Sequence, residues 1–251
     1  MRKDIEGKLK RYGEISTFWV EVRPLVAASI KTESFDSLLF ETINRIQHTG
    51  NCIKSIIETD QGQGDNAFAL ARKSIEDYVS IKYIFSKGRE KYTKKFYDHS
   101  NVELKQLYIL AKDSGFIDLN KRKPYIETLK DLFKNPLKEK GNKTWAGISI
   151  DDMMKSLSER GDWDHRTYSL FQAQYLFSCR LLHFSPDDLS RYAEAENINP
   201  ISERNNCLVA LDCVIFPFYD LIRIILSELG QSNILENYIV YIARIEDIYK
   251  S

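Results

Sequence analysis

The residues best able to do chemistry gather in one short stretch, FSCRLLHFSP, residues 177–186, where His183 follows Arg180 with two residues between. A histidine exchanges protons near neutral pH and an arginine holds negative charge, so the pair suits acid–base work on an anionic substrate. The same histidine also suits a structural task, since a charged imidazole at a helix C-terminus is favoured by the helix dipole. At about 100° per residue, Tyr168, Gln172, Tyr175, Cys179 and His183 fall on one helical stripe, with Leu182 beside it and Arg180 about 60° away. Two phenols, an amide and an imidazole all need partners where they meet another helix. The stripe is therefore either an internal hydrogen-bond network or the wall of a cleft.

A second helical stretch, DNAFALARKSIEDYVSIKYIFSK, residues 65–87, raises the same choice. Phe68, Ala71, Ile75, Tyr78, Val79 and Lys82 form its apolar-leaning stripe, with Arg72, Glu76 and Tyr83 along the edge. Arg72 and Glu76 stand one turn apart and can pair, either as a solvated salt bridge or facing a neighbouring helix, where Glu76 would fix an arginine or a histidine. Arg45 and His48 repeat the spacing of Arg180 and His183, which weakens that spacing as a signature. In GREKYTKKFYDHS, Lys91, Lys94 and Lys95 interleave with Tyr92, Phe96 and Tyr97. That pattern suits phosphate contact with base stacking, or a solvated face backed by core aromatics. A further basic stretch ending near Lys143 would extend the same patch if the two pack as neighbours. RNA and protein are both partners to test.

Composition narrows the classes. The 251 residues hold 36 Lys and Arg against 36 Asp and Glu, so no global positive field draws the chain to nucleic acid or an anionic membrane. The longest apolar run, CVIFPFYDLIRIIL, is broken by Asp220 and Arg223, and no signal-like segment opens the chain; a soluble cytoplasmic protein is expected. Cys52, Cys179, Cys207 and Cys213 include no CxxC pair and read as buried free thiols, so neither metal nor cofactor is expected. Nucleotide-loop, nucleophile-elbow, HExxH and ExxH di-iron motifs are missing.

The elements that must position these residues are helices. Glycine and proline are sparse, at 11 and 6, and no stretch alternates like a strand. The expected fold is all-α, a single-domain compact bundle over 1–251 of about eight or nine helices: 3–22, 34–59, 65–87, 89–112, 121–139, 150–159, 164–184, 200–229 and 232–249. The helices at 65–87 and 164–184 are expected together at its centre. Pro24 should end or bend the first helix, and Pro217 should kink or split the longest. Asp65, Ser149 and Ser185 are expected N-caps.

Three blocks, ALARKSIEDYVSIKYI, KTWAGISIDDMM and YLFSCRLLHFSP, resemble successive blocks of a bacterial helical family, domain of unknown function 5677, over a core of about residues 65–190. That family is in turn similar to the HEPN helical domains of bacterial defence and toxin systems, many of them metal-independent endoribonucleases with an arginine, four to six residues, then a histidine. This chain departs from that pattern, because Leu176, Phe177 and Ser178 stand where the arginine would be. The resemblance implies a protein- or RNA-binding module of defence or stress response. The alternative is an endoribonuclease in which His183 moves the proton, Arg72 or Arg180 clamps the phosphate, Glu76 orients Arg72, and Tyr175 joins the site. A homodimer would complete a shared cleft.

Overall fold

Tyr12, Ile15, Trp19, Val22 and Val26 recur at three- and four-residue intervals, and all five are buried, so one stripe of the first helix faces the core. The computed structural model describes residues 2–59, 64–99, 145–182, 200–231, 233–234, 236–238 and 240, with backbone alone at 2, 180–182 and 200–202. Six helices have defined bounds: α1 (Arg2–Ser29), α2 (Phe35–Thr59), α3 (Gly64–Lys87), α4 (Ile150–Glu159), α5 (His165–Leu182) and α6 (Pro200–Glu228). Residues 89–99 are also helical. Among the described residues every regular element is a helix, as expected.

The centre differs from expectation. α6, the most apolar of the six, packs on α1, α2 and α3, while α5 packs mainly on α3 and α4 and meets α6 through Phe171 and Phe216. Ala210, Leu211, Val214, Phe218, Leu221, Ile222 and Ile225 of α6 form a buried stripe, and Cys213, Ile215, Ile224 and Leu226, buried on either side of it, widen it to about two thirds of the circumference. A helix with so wide an apolar arc is driven to the middle, whereas α5 has one buried stripe, Phe171, Gln174 and Ser178. α3 and α6 run parallel, since Gly64 meets Glu203, Tyr78 meets Asp220 and Arg89 meets Glu228. α2 runs antiparallel to α3, with Phe35 against Phe85 and Arg45 against Asp77. α5 is antiparallel to α3 as well, Phe171 meeting Tyr78 and Tyr175 meeting Arg72.

Helix ends follow local chemistry. Ser149 caps α4 in a full capping box with Asp152, as its sequence predicts. Asp164 accepts the backbone N–H of Thr167 at 2.6 Å at the start of α5, and that bond holds its carboxyl below the usual range. Asp65 is no cap: α3 already begins at Gly64, and Asp65 accepts from the Asn206 amide on α6. α1 continues through Pro24 to Ser29. Pro24 and Val20 are both exposed, so the carbonyl that loses its N–H partner lies on the solvent side of α1. Pro217 likewise does not split α6. Ser185 lies outside the described residues.

No described helix is long and apolar enough to cross a membrane. Cys207 and Cys213 are buried free thiols, as expected, but Cys52 and Cys179 are only half-buried.

Candidate functional site

Arg72 leaves α3 one turn before Glu76, and its Nε donates to Glu76 Oε1 at 2.8 Å. Its Nη2 lies 3.4 Å from the Tyr175 hydroxyl of α5, and its Cζ sits 5.1 Å from the centre of the Tyr175 ring. The guanidinium is thus pinned between a carboxylate on its own helix and an aromatic face on the next. At 20% and 26% side-chain exposure, the Arg72–Glu76 pair within α3 is partly shielded from solvent, and Arg72 carries it to Tyr175 of α5.

The electrostatics agree with that geometry. Burial pulls the Arg72 guanidinium down, but the bond and charge of Glu76 outweigh it and hold the group above its ordinary value. Burial pushes the Tyr175 phenol up, the neighbouring Cys179 adds to this, and Arg72 only partly opposes them. At neutral pH the cluster is a cation, a carboxylate and a neutral phenol. Much of the arginine's charge is already answered by Glu76, which leaves a well-oriented donor of reduced net charge.

The rest of the polar stripe lies at the edge of the α5 interface. Tyr168, Gln172, Tyr175 and Cys179 are each half-buried, and Gln172 Nε2 donates to Asp151 Oδ1 on α4 at 3.0 Å. Two members of the stripe thus bond to neighbouring helices, Tyr175 to Arg72 on α3 and Gln172 to Asp151 on α4. His183, Lys143 and the Arg180 side chain lie outside the described residues.

The basic–aromatic run, residues 89–99, makes contacts both within itself and to distant parts of the fold. Lys94 reaches Asp98 at 3.2 Å, Lys95 donates to the Ala146 carbonyl at 3.1 Å, and Lys91 sits 5.7 Å from the Tyr92 ring centre. Tyr92 meets Tyr83 edge-on and Phe96 meets Trp145, so these rings pack against the core. Tyr83, an edge residue by sequence, is buried in that cluster. Arg45 does not serve His48: its Nε stands 2.6 Å from Asp77 Oδ2, an ion pair without the angle of a directed hydrogen bond. His48 Nε2 lies 3.9 Å from Cys52 Sγ. Among the described residues no group of three or more His, Cys, Asp and Glu is placed to hold a metal.

Two features escaped the sequence reading. The first is the outward face of α5, where Leu170, Leu176 and Phe177 are 54%, 52% and 59% exposed and Ala173 lies exposed among them. The signal was present: α5 has apolar residues on both sides of its polar stripe, and only one set can face α3. The second is a buried ionic knot between α3 and α6. Asp220, 7% exposed, accepts from Tyr78 at 2.8 Å, Lys82 at 3.1 Å and Arg223 Nη2 at 2.8 Å. Charges inside an apolar helix must find partners, and Asp220 and Arg223 three residues apart in CVIFPFYDLIRIIL announced such a pair.

No curated protein and no solved structure matches the chain. A family model does, over residues 45–200, a span that contains α3, α4 and α5 and every member of the Arg72 cluster. On that match the chain belongs to DUF5677, a family of unknown function.

Proposed function

We propose that this protein is a binding module that docks an acidic amphipathic helix of a partner protein on the outward face of α5. The observation that carries the reading is the row of Leu170, Leu176 and Phe177, each more than half exposed along two turns of a helix whose other side is anchored on α3. Water-facing leucine and phenylalanine in a row are the usual mark of a docking surface, and a straight helical stripe suits a helix. Charge selects the partner: α5 contains no acidic residue and carries the exposed Arg166 one turn before Leu170, so a glutamate flanking an apolar stripe would meet a complementary group there. The rings of Tyr92 and Phe96 pack on the core and are not free to stack on bases, which favours protein over RNA as the partner. The double variant Leu170→Gln/Phe177→Gln is expected to keep the wild-type melting temperature, because exposed substitutions move stability by only about 0.5 kcal/mol, and to lose the partner. Retained binding would refute the reading.

A second reading, the endoribonuclease, is favoured by one observation: the Arg72 guanidinium is held in a fixed orientation by Glu76 and Tyr175. In this reading Arg72 stabilises the charge on the phosphate and His183 moves the proton. Cells expressing the wild type should then show growth arrest and RNA cleavage that vanish in both His183→Ala and Arg72→Ala. Equal toxicity of wild type and variants, or none from any, removes the nuclease. The resemblance to HEPN domains would set either activity in bacterial defence or stress response.

A further inference from the structure

Phe216 of α6 is 47% exposed, although its neighbours in the chain are buried. Its ring meets Phe171 of α5 at 5.8 Å and the ring of Tyr78 edge-on at 5.9 Å, so the fold holds it in place while about half of it faces water. At about 100° per residue, Leu170, Gln174 and Phe177 lie on one flank of Phe171, and Tyr168, Gln172 and Tyr175 on the other. The second flank is occupied: Gln172 bonds to α4 and Tyr175 to Arg72 of α3. Phe216 therefore meets Phe171 from the flank of Leu170 and Phe177, and the exposed apolar row of α5 continues across a groove onto α6.

Charge in that groove is one-sided. α6 is parallel to α3 and α5 antiparallel to it, so α5 and α6 run in opposite directions past the contact of Phe171 with Phe216. Arg166, five residues before Phe171, and Arg223, seven after Phe216, thus lie toward the same end. Arg223 is half exposed, and it shares Asp220 with Lys82, so two cations stand on one carboxylate there. The acidic side chains near that end are engaged, Asp164 by the Thr167 backbone and Asp162 by Ser86 and Arg160. Toward the other end lie Phe177 and the half-buried Val209, while Asp212 pairs with Lys8 of α1. A helix carries partial negative charge at its C-terminus, and the N-terminus of α5, at the arginine end, carries partial positive charge. Both favour a partner helix whose C-terminal end meets the arginines.

We infer that the partner helix lies in the α5–α6 groove over Leu170, Phe177 and Phe216, antiparallel to α5, with glutamates of its last turns against Arg166 and Arg223. This rests on the docking reading of α5 and adds to it a second wall and a direction.

The test is fluorescence anisotropy of the full chain with two labelled peptides of one composition. Both carry the same leucine stripe and an outward lactam bridge that keeps them helical; the glutamates stand in the last two turns of one and the first two of the other. Wild type should bind the first at least about tenfold tighter. Phe216→Ser should weaken the first peptide by about tenfold, whereas Leu25→Ser, at an equally exposed apolar position on α1, should not. The comparison of peptides needs only wild type, so it decides even if a variant is damaged. Equal binding of both peptides, or full affinity of Phe216→Ser beside lost binding of Leu170→Gln/Phe177→Gln, would overturn the groove and leave α5 as a docking face. Binding of neither peptide would overturn both.

Discussion

Asp220→Asn is expected to destabilise the protein by about 3 kcal/mol, read as a fall in melting temperature of roughly 6–12 °C at neutral pH. The carboxylate is the only member of its knot that holds three donors together: Tyr78, Lys82 and Arg223. Its neutral replacement leaves the Lys82 ammonium, 17% exposed, facing an uncharged amide. Burial alone would push Asp220 up from its ordinary 3.8, but Lys82, Arg223 and Tyr78 outweigh it, so the folded carboxyl titrates lower. A depressed folded value means stability that is present above the unfolded value and lost as pH falls through the folded one. The deficit of Asp220→Asn should therefore persist at pH 7 and shrink only below about pH 4.

Asp77 supplies the control. It is equally buried, at 5% exposure, and faces Arg45 and Lys73, yet burial outweighs both and its carboxyl titrates above 3.8. Its two cations are about half exposed and well hydrated, whereas Lys82 is mostly enclosed with Asp220. The sign reverses. A raised folded value contributes stability fully present below the unfolded value and lost as pH rises through the folded one. Asp77→Asn should then be nearly neutral or mildly stabilising at pH 7, with the difference closing as pH falls toward 4. Thermal unfolding of the two variants across pH checks both signs, and equal losses at neutral pH would refute the contrast.

Gly50→Ala should also destabilise by about 3 kcal/mol, although helix propensity alone predicts a gain of about 1 kcal/mol. Gly50 sits inside α2, where an added Cβ would stand 2.5 Å from Tyr12 Cζ and 2.6 Å from its hydroxyl. Tyr12 cannot step aside. It is 1% exposed, its hydroxyl donates to the Gln47 carbonyl at 2.6 Å and lies 2.9 Å from Asn51 Oδ1, and its ring meets Phe218. Relief requires α1 and α2 to move apart, which opens the core beneath Trp19, whose Nε1 donates to Asn44. Gly13→Ala, in the same helix pair but facing open space, should instead stabilise by about 1 kcal/mol. Denaturant titration of the two variants separates them by sign, and a stabilised Gly50→Ala would contradict the close approach of Tyr12.

Helix positions were legible in the sequence because they rest on short-range rules. The Ser149–Asp152 cap, the α2 and α3 stripes and the start of α6 at Pro200 all follow from spacing and cap chemistry. Which helix occupies the centre was not, because that depends on comparing whole circumferences: α6 buries about two thirds of its own and α5 only one stripe. The two prolines end neither helix: Pro24 and the Val20 carbonyl it frees lie on the exposed side of α1, where the lost hydrogen bond costs least.

The Arg72–Glu76 pair could be read from its i,i+4 spacing, and Tyr175 from the polar stripe, but their meeting depends on α3 and α5 running antiparallel. The knot at Asp220 was hidden because its charges were read only as interruptions of an apolar run. The outward face of α5 was hidden because hydrophobic residues are read by default as core, and exposure is decided by what the neighbours leave uncovered.

The most direct test of the docking surface is a fluorescence anisotropy titration of the full chain with a labelled synthetic amphipathic helix whose leucine stripe is flanked by glutamates. The account predicts saturable binding to wild type, at least about tenfold weaker binding of the same peptide with lysines in place of glutamates, and loss of binding in Leu170→Gln/Phe177→Gln with an unchanged melting temperature. Failure of the glutamate peptide to bind wild type, or equally tight binding to the double variant, would contradict it.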